Sequence, residues 1–199
     1  QPAGERRSVG SFGAFIKQLR NGTVFGFFVL CFLMQLSHGP YYTFYSIFLQ
    51  DAGYSKLGIG GLWALGVLAE IGVFLLMHRI LASFNVRTLA IVCLLLGSLR
   101  WWLTGAFPDN STVILLAQLG HAATFGVFHA LAIHLIHRFF TAEASGQGQA
   151  FYSAFCYGAG NAAGAYLSGH IVDAWGGSMA YYGASGLLLV AAVLAYFLF

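Results

Sequence analysis

The sequence predicts an all-α membrane protein, a six-transmembrane-helix bundle. Hydrophobic residues make up 59% of the chain and Asp, Glu, Lys and Arg only 8%, against roughly 25% charged residues in soluble domains. A water-soluble surface cannot be built from such a composition. Runs free of these four residues cover 21–50, 110–137, 144–172 and 174–199, each long enough for a helix of about 20 residues to cross the hydrocarbon. Two further apolar spans each enclose one charge, Glu70 in LWALGVLAEIGVFLL and Arg100 in LAIVCLLLGSLRWWLTG.

The six helices are expected at 22–49, 57–80, 89–107, 113–136, 147–172 and 179–198. In the first, Pro40 follows His38 and Gly39. Its missing N–H favours a bend where a cavity or neighbouring helix can satisfy the freed groups. The second and third carry the lone charges. In the fourth, at 100° per residue, Gln118, His121, Phe125 and His129 share an arc of about 80°, while His134 lies on the far side and His137 off the stripe. Such a polar face suits a cavity lining, with hydrogen-bonded packing as the plainer alternative. The fifth aligns two rows of small residues at four-residue intervals, Ala154, Gly158 and Ala162, and Cys156, Gly160, Gly164 and Ser168. Rows of this kind let backbones approach closely in lipid, where dispersion packing replaces the hydrophobic effect. Short polar connectors at 50–56, 83–87, 108–111, 141–146 and 173–178 read as tight hairpins.

Orientation follows from the basic residues. Arg6, Arg7, Lys17, Arg20, Arg79, Arg87 and Arg138 share one side, against Lys56 on the other. By the positive-inside rule that side is cytoplasmic, which puts Asp51, Asp109 and Asp173 outside and both termini inside a bacterial inner membrane. The formal net charge of +3 thus reflects topology and needs no nucleic-acid partner.

Residues 1–21 form a separate segment. Phe12, Phe15, Ile16 and Leu19 recur at helical spacing beside Lys17 and Arg20, as in a short amphipathic helix at the cytoplasmic interface. No signal peptide is recognisable there. A chain that starts at Gln1 without Met is expected to be a piece of a longer polypeptide. Cys31, Cys93 and Cys156 lie in three different apolar spans without paired or metal-ligand spacing, so they read as small core residues. No metal and no cofactor is expected.

An ionised group at the bilayer centre costs at least about 2.5–3.5 kcal/mol, so such residues face a bundle interior, a partner or a water-filled cavity. At 1.5 Å rise per residue, Arg100 lies roughly 10 Å, His121 roughly 12 Å and Glu70 roughly 20 Å from the outer ends of their helices. All three can converge near mid-membrane, with His38 and Asn161 at similar depth. A structural ion pair between Glu70 and Arg100 is the alternative to a transport site, and the two are compatible.

The stretches QLSHGPYYTFYS at 35–46, AGYS at 52–55, LWALGVLAE at 62–70 and LRW at 99–101 resemble the C-terminal half of the bacterial 3-phenylpropionate permease family of the major facilitator superfamily. The resemblance covers nearly all of residues 22–199. It implies a twelve-helix, proton-coupled symporter whose last six helices are seen here, with residues 1–21 as the cytoplasmic linker between halves. The missing partner is then the N-terminal six-helix half. The superfamily also contains lactose permease, whose intramembrane glutamate, arginine and histidine Glu70, Arg100 and His121 resemble. That carrier has an acidic residue three places after the histidine, where this chain has Thr124, so a proton-carrying carboxylate does not transfer to that position.

The mechanism this implies is alternating access, two bundles rocking about a mid-membrane site. Arg100 would attract a substrate carboxylate or hold Glu70 ionised, and His121 would exchange protons. His38, Tyr41, Phe125 and His129 would wall a small organic anion such as 3-phenylpropionate. Nucleosides and sugars are alternative substrates, and a membrane scaffold subunit is an alternative of another class. A membrane metalloenzyme built on His129, His134 and His137 is a rival that the spacing disfavours, because histidines five apart point about 140° apart on a regular helix.

Overall fold

The computed structural model describes residues 12–199, which are helical with no strand among them. A short helix α1 over 12–19 precedes α2 (Gly22–Ser37) and α3 (Gly39–Asp51). Helices α4 (Lys56–Ser83) and α5 (Val86–Ala106) form the next two spans. The fourth span runs through α6 (Ser111–Leu119), a π-helical segment Ala122–Val127 and α7 (Phe128–Phe139). The fifth runs through α8 (Ser145–Phe151), a second π segment Tyr152–Gly160 and α9 (Asn161–Trp175), and α10 (Gly177–Leu198) is the sixth.

The starts of these spans are written in their polar residues. Asn21, Ser55, Asn85 and Asn110 accept from the backbone N–H of Thr23, Gly58, Thr88 and Val113 at 2.9, 3.1, 2.7 and 3.2 Å. Each satisfies a donor that the first helical turn leaves free. Between α9 and α10 the chain turns at Gly176, whose φ of 87° is a left-handed conformation that side chains resist.

Five spans are long and apolar enough to cross a membrane. The remaining one, Ser145 to Trp175, is as long, but its glycines, serines and glutamines dilute its apolar character. Its crossing depends on packing rather than on hydropathy. The row Cys156, Gly160, Gly164 and Ser168 is buried, whereas Ala154, Gly158 and Ala162 are exposed. On the buried row the Cys156 thiol lies 3.6 Å from the Phe28 carbonyl. A Cβ on Gly164 would strike the Leu36 carbonyl, and one on Gly39 the Gly164 backbone.

That contact coincides with the interruption of the first span. His38 separates α2 from α3 and Pro40 opens α3. The His38 N–H bonds Gln35 O at 3.0 Å rather than reaching back a full helical turn. The Met34 carbonyl so released accepts from Ser37 Oγ at 2.7 Å and His38 Nδ1 at 2.8 Å. The predicted bend site is therefore a helix break whose polar debt is met by its own two side chains. Elsewhere α5 and α10 are clasped by serines, with Ser98 Oγ donating to Ser185 O at 3.0 Å and Ser185 Oγ to Ser98 O at 2.9 Å.

The two ends of the bundle differ in charge. One gathers Thr23, Phe84 to Arg87, His134 to Phe139 and Phe199, and the other Phe48, Asp51, Pro108, Asp109 and Trp175 to Ser178. Successive spans are thus antiparallel, and the arginines of the second and fourth connectors share an end opposite Asp51 and Asp109. Near the basic end Phe15 of α1 is buried, stacked on Phe140 and tilted against Phe151, with ring centroids 5.6 Å away in each case. Phe12, Lys17 and Arg20 are exposed. Arg6 and Arg7 lie outside the described residues.

Candidate functional site

The intramembrane charges sit on three elements that meet in the middle of the bundle. Glu70 projects from α4, and its Oε1 lies 2.6 Å from His121 Nε2. Arg100 of α5 is buried, and its Nη1 donates to Thr124 Oγ1 at 3.1 Å. Thr124 in turn donates to the His121 carbonyl at 3.3 Å. Glu70 and Arg100, expected to approach each other directly or through water or His121, are not in a direct ion pair: both groups meet the same turn of the fourth span, one at the His121 ring and the other through Thr124 at its carbonyl. Among the described residues no carboxylate lies within ion-pair distance of Arg100.

What surrounds the guanidinium is aromatic. Its carbon stands 4.5 Å from the Tyr41 ring centroid and 4.1 Å from that of Trp101. Ring faces supply partial negative charge to a cation. Trp101 is anchored by a bond from its Nε1 to Ser37 Oγ at 3.3 Å, and the Tyr41 hydroxyl by Gln118 Nε2 at 2.7 Å. The helix break, the third span and the fourth span are thereby tied to one another around Arg100.

The polar face of the fourth span forms a stack. His121 and Phe125 have centroids 5.3 Å apart at 19°, and Phe125 and His129 6.2 Å apart at 11°. His129 Nδ1 meets the hydroxyls of Tyr152 at 3.1 Å and Tyr157 at 3.0 Å. Both tyrosines belong to the π segment of the fifth span. Single π turns recur at functional sites because they shift the phase of the side chains that follow, and here two such segments, on neighbouring spans, are joined through His129.

His38 is fully buried beside this stack, its centroid 6.0 Å from that of His121. Its Nδ1 must carry hydrogen, because the Met34 carbonyl can only accept. The other nitrogen, Nε2, has no partner, and neither have His121 Nδ1, Gln118 Oε1 and Asn161 Oδ1. Buried polar atoms are costly unless paired, and those of His38, His121 and Gln118 come together around Tyr41.

The predicted residues Glu70, Arg100, His121, His38, Tyr41, Gln118 and Phe125 thus come together, with His129 at the end of the stack. Asn161 is half-buried at the start of α9. Thr124, Trp101, Tyr152 and Tyr157 take parts in the site that periodicity does not single out. The three histidines of the metal rival separate: His129 bonds the tyrosines, exposed His134 lines the cavity at the basic end, and exposed His137 contacts Gln149 Nε2 at 3.2 Å. Among the described residues no three His, Cys, Asp or Glu side chains gather as metal ligands would.

This arrangement, six antiparallel spans with a charged and aromatic mid-membrane cluster, agrees with comparison to known proteins. The profile of the MFS_1 like family matches residues 3–183. The chain belongs to that family. Its members are built on the major facilitator fold, and the six spans seen here are one half of it. Over 138 residues, 68% of this chain, it is 33% identical to the probable 3-phenylpropionic acid transporter of Escherichia coli strain K12. The aligned part is 36% of that relative, so the chain spans only about a third of its length. No solved structure matches significantly. Family membership points to a transporter and away from an enzyme.

Proposed function

We propose that the chain is the C-terminal half of a proton-coupled symporter for a small organic acid, working by alternating access with an N-terminal six-helix half. The observation that carries this reading is the buried Arg100, which faces two aromatic rings and a threonine and has no carboxylate partner, while Glu70 is engaged by His121. A buried cation left without its counter-ion is costly, and a substrate carboxylate would supply one. The relative's printed substrate is an aromatic acid, and Tyr41, Tyr42, Trp63 and Phe125 offer it ring surfaces.

In this mechanism the carboxylate docks at Arg100 and the ring lies along the aromatic wall. The proton is held across Glu70 and His121, whose Oε1 and Nε2 lie 2.6 Å apart. A proton moving with the anion balances its charge within the loaded site, which lowers the cost of holding both in the membrane interior. Counterflow by the complete carrier against a panel of aromatic acids, nucleosides and sugars tests the substrate class. Exchange of acids alone is the expected result, and exchange of nucleosides or sugars alone would overturn it.

Arg100→Gln is expected to raise the KM for an acid substrate roughly tenfold to more than a hundredfold, as loss of hydrogen bonds to a charged group worth roughly 1.5–3 kcal/mol requires. Arg100→Lys should recover only part of this, because a point charge cannot reproduce a planar fork stacked between rings. Unchanged KM in both variants would remove Arg100 from the binding site.

The basic end is assigned to the cytoplasm by the positive-inside rule. Single cysteines at positions 51, 109 and 173 are expected to react with an impermeant thiol reagent from outside intact cells. Reaction from the cytoplasmic side at any of them would invert the topology.

A further inference from the structure

Away from the mid-membrane site, a cavity of about 680 Å³ opens at the basic end, where α2, α4, α5, α7 and α10 meet. We propose that it binds the headgroup of an anionic phospholipid. The proposal rests on the helices spanning a membrane, and it is independent of which substrate is carried.

The lining supplies the charge. Arg87 at the start of α5, and Arg138 and His134 near the end of α7, face the cavity together with the polar side chains of Thr23 and Asn85, and none of the described residues that line it is acidic. Arg87 is half-buried, with its guanidinium carbon 4.1 Å above the Tyr196 ring. This stacking holds the charge at one wall of the cavity while leaving its in-plane N–H donors available to a phosphate oxygen, the group that guanidinium binds in fork geometry. Arg138 is exposed. The volume lies within the range usual for small-molecule sites.

The surroundings select a lipid over a soluble anion. Phe84 on the lining and Tyr196, whose ring packs on Arg87, are each 56% exposed, aromatic surface of the kind that rests at headgroup level. Acyl chains leaving the cavity would lie against that surface. A free phosphate ester would satisfy the arginines and leave the aromatic flank uncovered. Basic pockets between transmembrane helices on the cytoplasmic side recognise anionic headgroups.

The test uses the complete carrier in detergent, with native mass spectrometry to count bound phosphatidylglycerol or phosphatidylcholine, and with glycerol 1-phosphate as the headgroup lacking its tails. Phosphatidylglycerol is expected to bind roughly tenfold or more tightly than phosphatidylcholine, and the double variant Arg87→Gln, Arg138→Gln to bring it down to the phosphatidylcholine level. Phosphatidylcholine binding, unchanged between the two proteins, reports that the variant is folded. Arg79→Gln, which removes an exposed charge outside the cavity, should leave the preference intact. Equal binding of the two lipids, or equal loss in Arg79→Gln, would overturn the proposal. So would displacement of phosphatidylglycerol by glycerol 1-phosphate at comparable concentration, which would make the cavity a site for soluble anions.

Discussion

Glu70→Gln in the complete carrier is expected to abolish uphill accumulation while substrate counterflow persists. The amide oxygen keeps an acceptor for His121 Nε2, which now lies 2.6 Å from the carboxylate, but the amide cannot take up or release a proton. Each pH unit of gradient sustains about tenfold accumulation per coupled proton, and this factor is what the variant should lose. Measured with a radiolabelled acid, internal and external concentrations should simply equalise. A purely structural role for the Glu70–His121 pair gives a different result, in which folded yield and counterflow fall together. Full accumulation by a well-expressed Glu70→Gln carrier would exclude both roles and leave His121 as the next residue to replace.

The second large effect concerns the helix break. Gly164→Ala is expected to reduce folded, monodisperse carrier severely, because its Cβ would meet backbone, the Leu36 carbonyl and the Gly39 Cα, rather than a side chain that can turn away. Overpacking typically costs 1–3 kcal/mol and occasionally more; rigid backbone on both sides places this case at the upper end. Gly158→Ala, six residues earlier on the exposed row, is the matched control. Its Cβ would find only the Ser153 carbonyl at 3.7 Å, an ordinary contact, and it should express like the parent. Gel-filtration yield and melting temperature read both variants. Equal behaviour of the two would show that α9 does not need its close approach to the first span.

These two experiments fall on opposite sides of what can be read before folding. The charges at Glu70 and Arg100 stand out because the cost of burying them is set by the surrounding composition, and their depth follows from the constant rise of a helix. Their partners do not follow. Depth says that Glu70, Arg100 and His121 can share a level, but azimuth decides which touch, and azimuth depends on how the spans rotate against one another. Tertiary packing placed His121 against Glu70 and Thr124 against Arg100. The departure at Thr124, where a carboxylate was missing, turns out to be the position that receives the arginine.

Two π segments, Ala122–Val127 and Tyr152–Gly160, interrupt the fourth and fifth spans. A fixed 100° per residue still finds Gln118, His121, Phe125 and His129, and the His121–Phe125–His129 stack holds through the first segment, but it does not say which residues of the fifth span meet that face. Tyr152 and Tyr157, which both bond His129, lie inside the second segment. Nothing in the residue types announces a π turn, since its extra residue is accommodated by neighbouring helices.

By itself the sequence determined the class of the protein, the order of its spans and the segregation of basic from acidic connectors, because each depends on local composition and on the transfer of side chains between water and lipid. It showed two small-residue rows on the fifth span and a proline in the first. Only the tertiary structure decided that the row through Gly160 and Gly164 is the buried one, that the break at His38 seats against it, and that Arg100 is left among aromatic rings without a carboxylate. Those outcomes depend on which faces meet. In a helix bundle that choice is made by shape and close packing between segments distant in the chain, and no single span contains it.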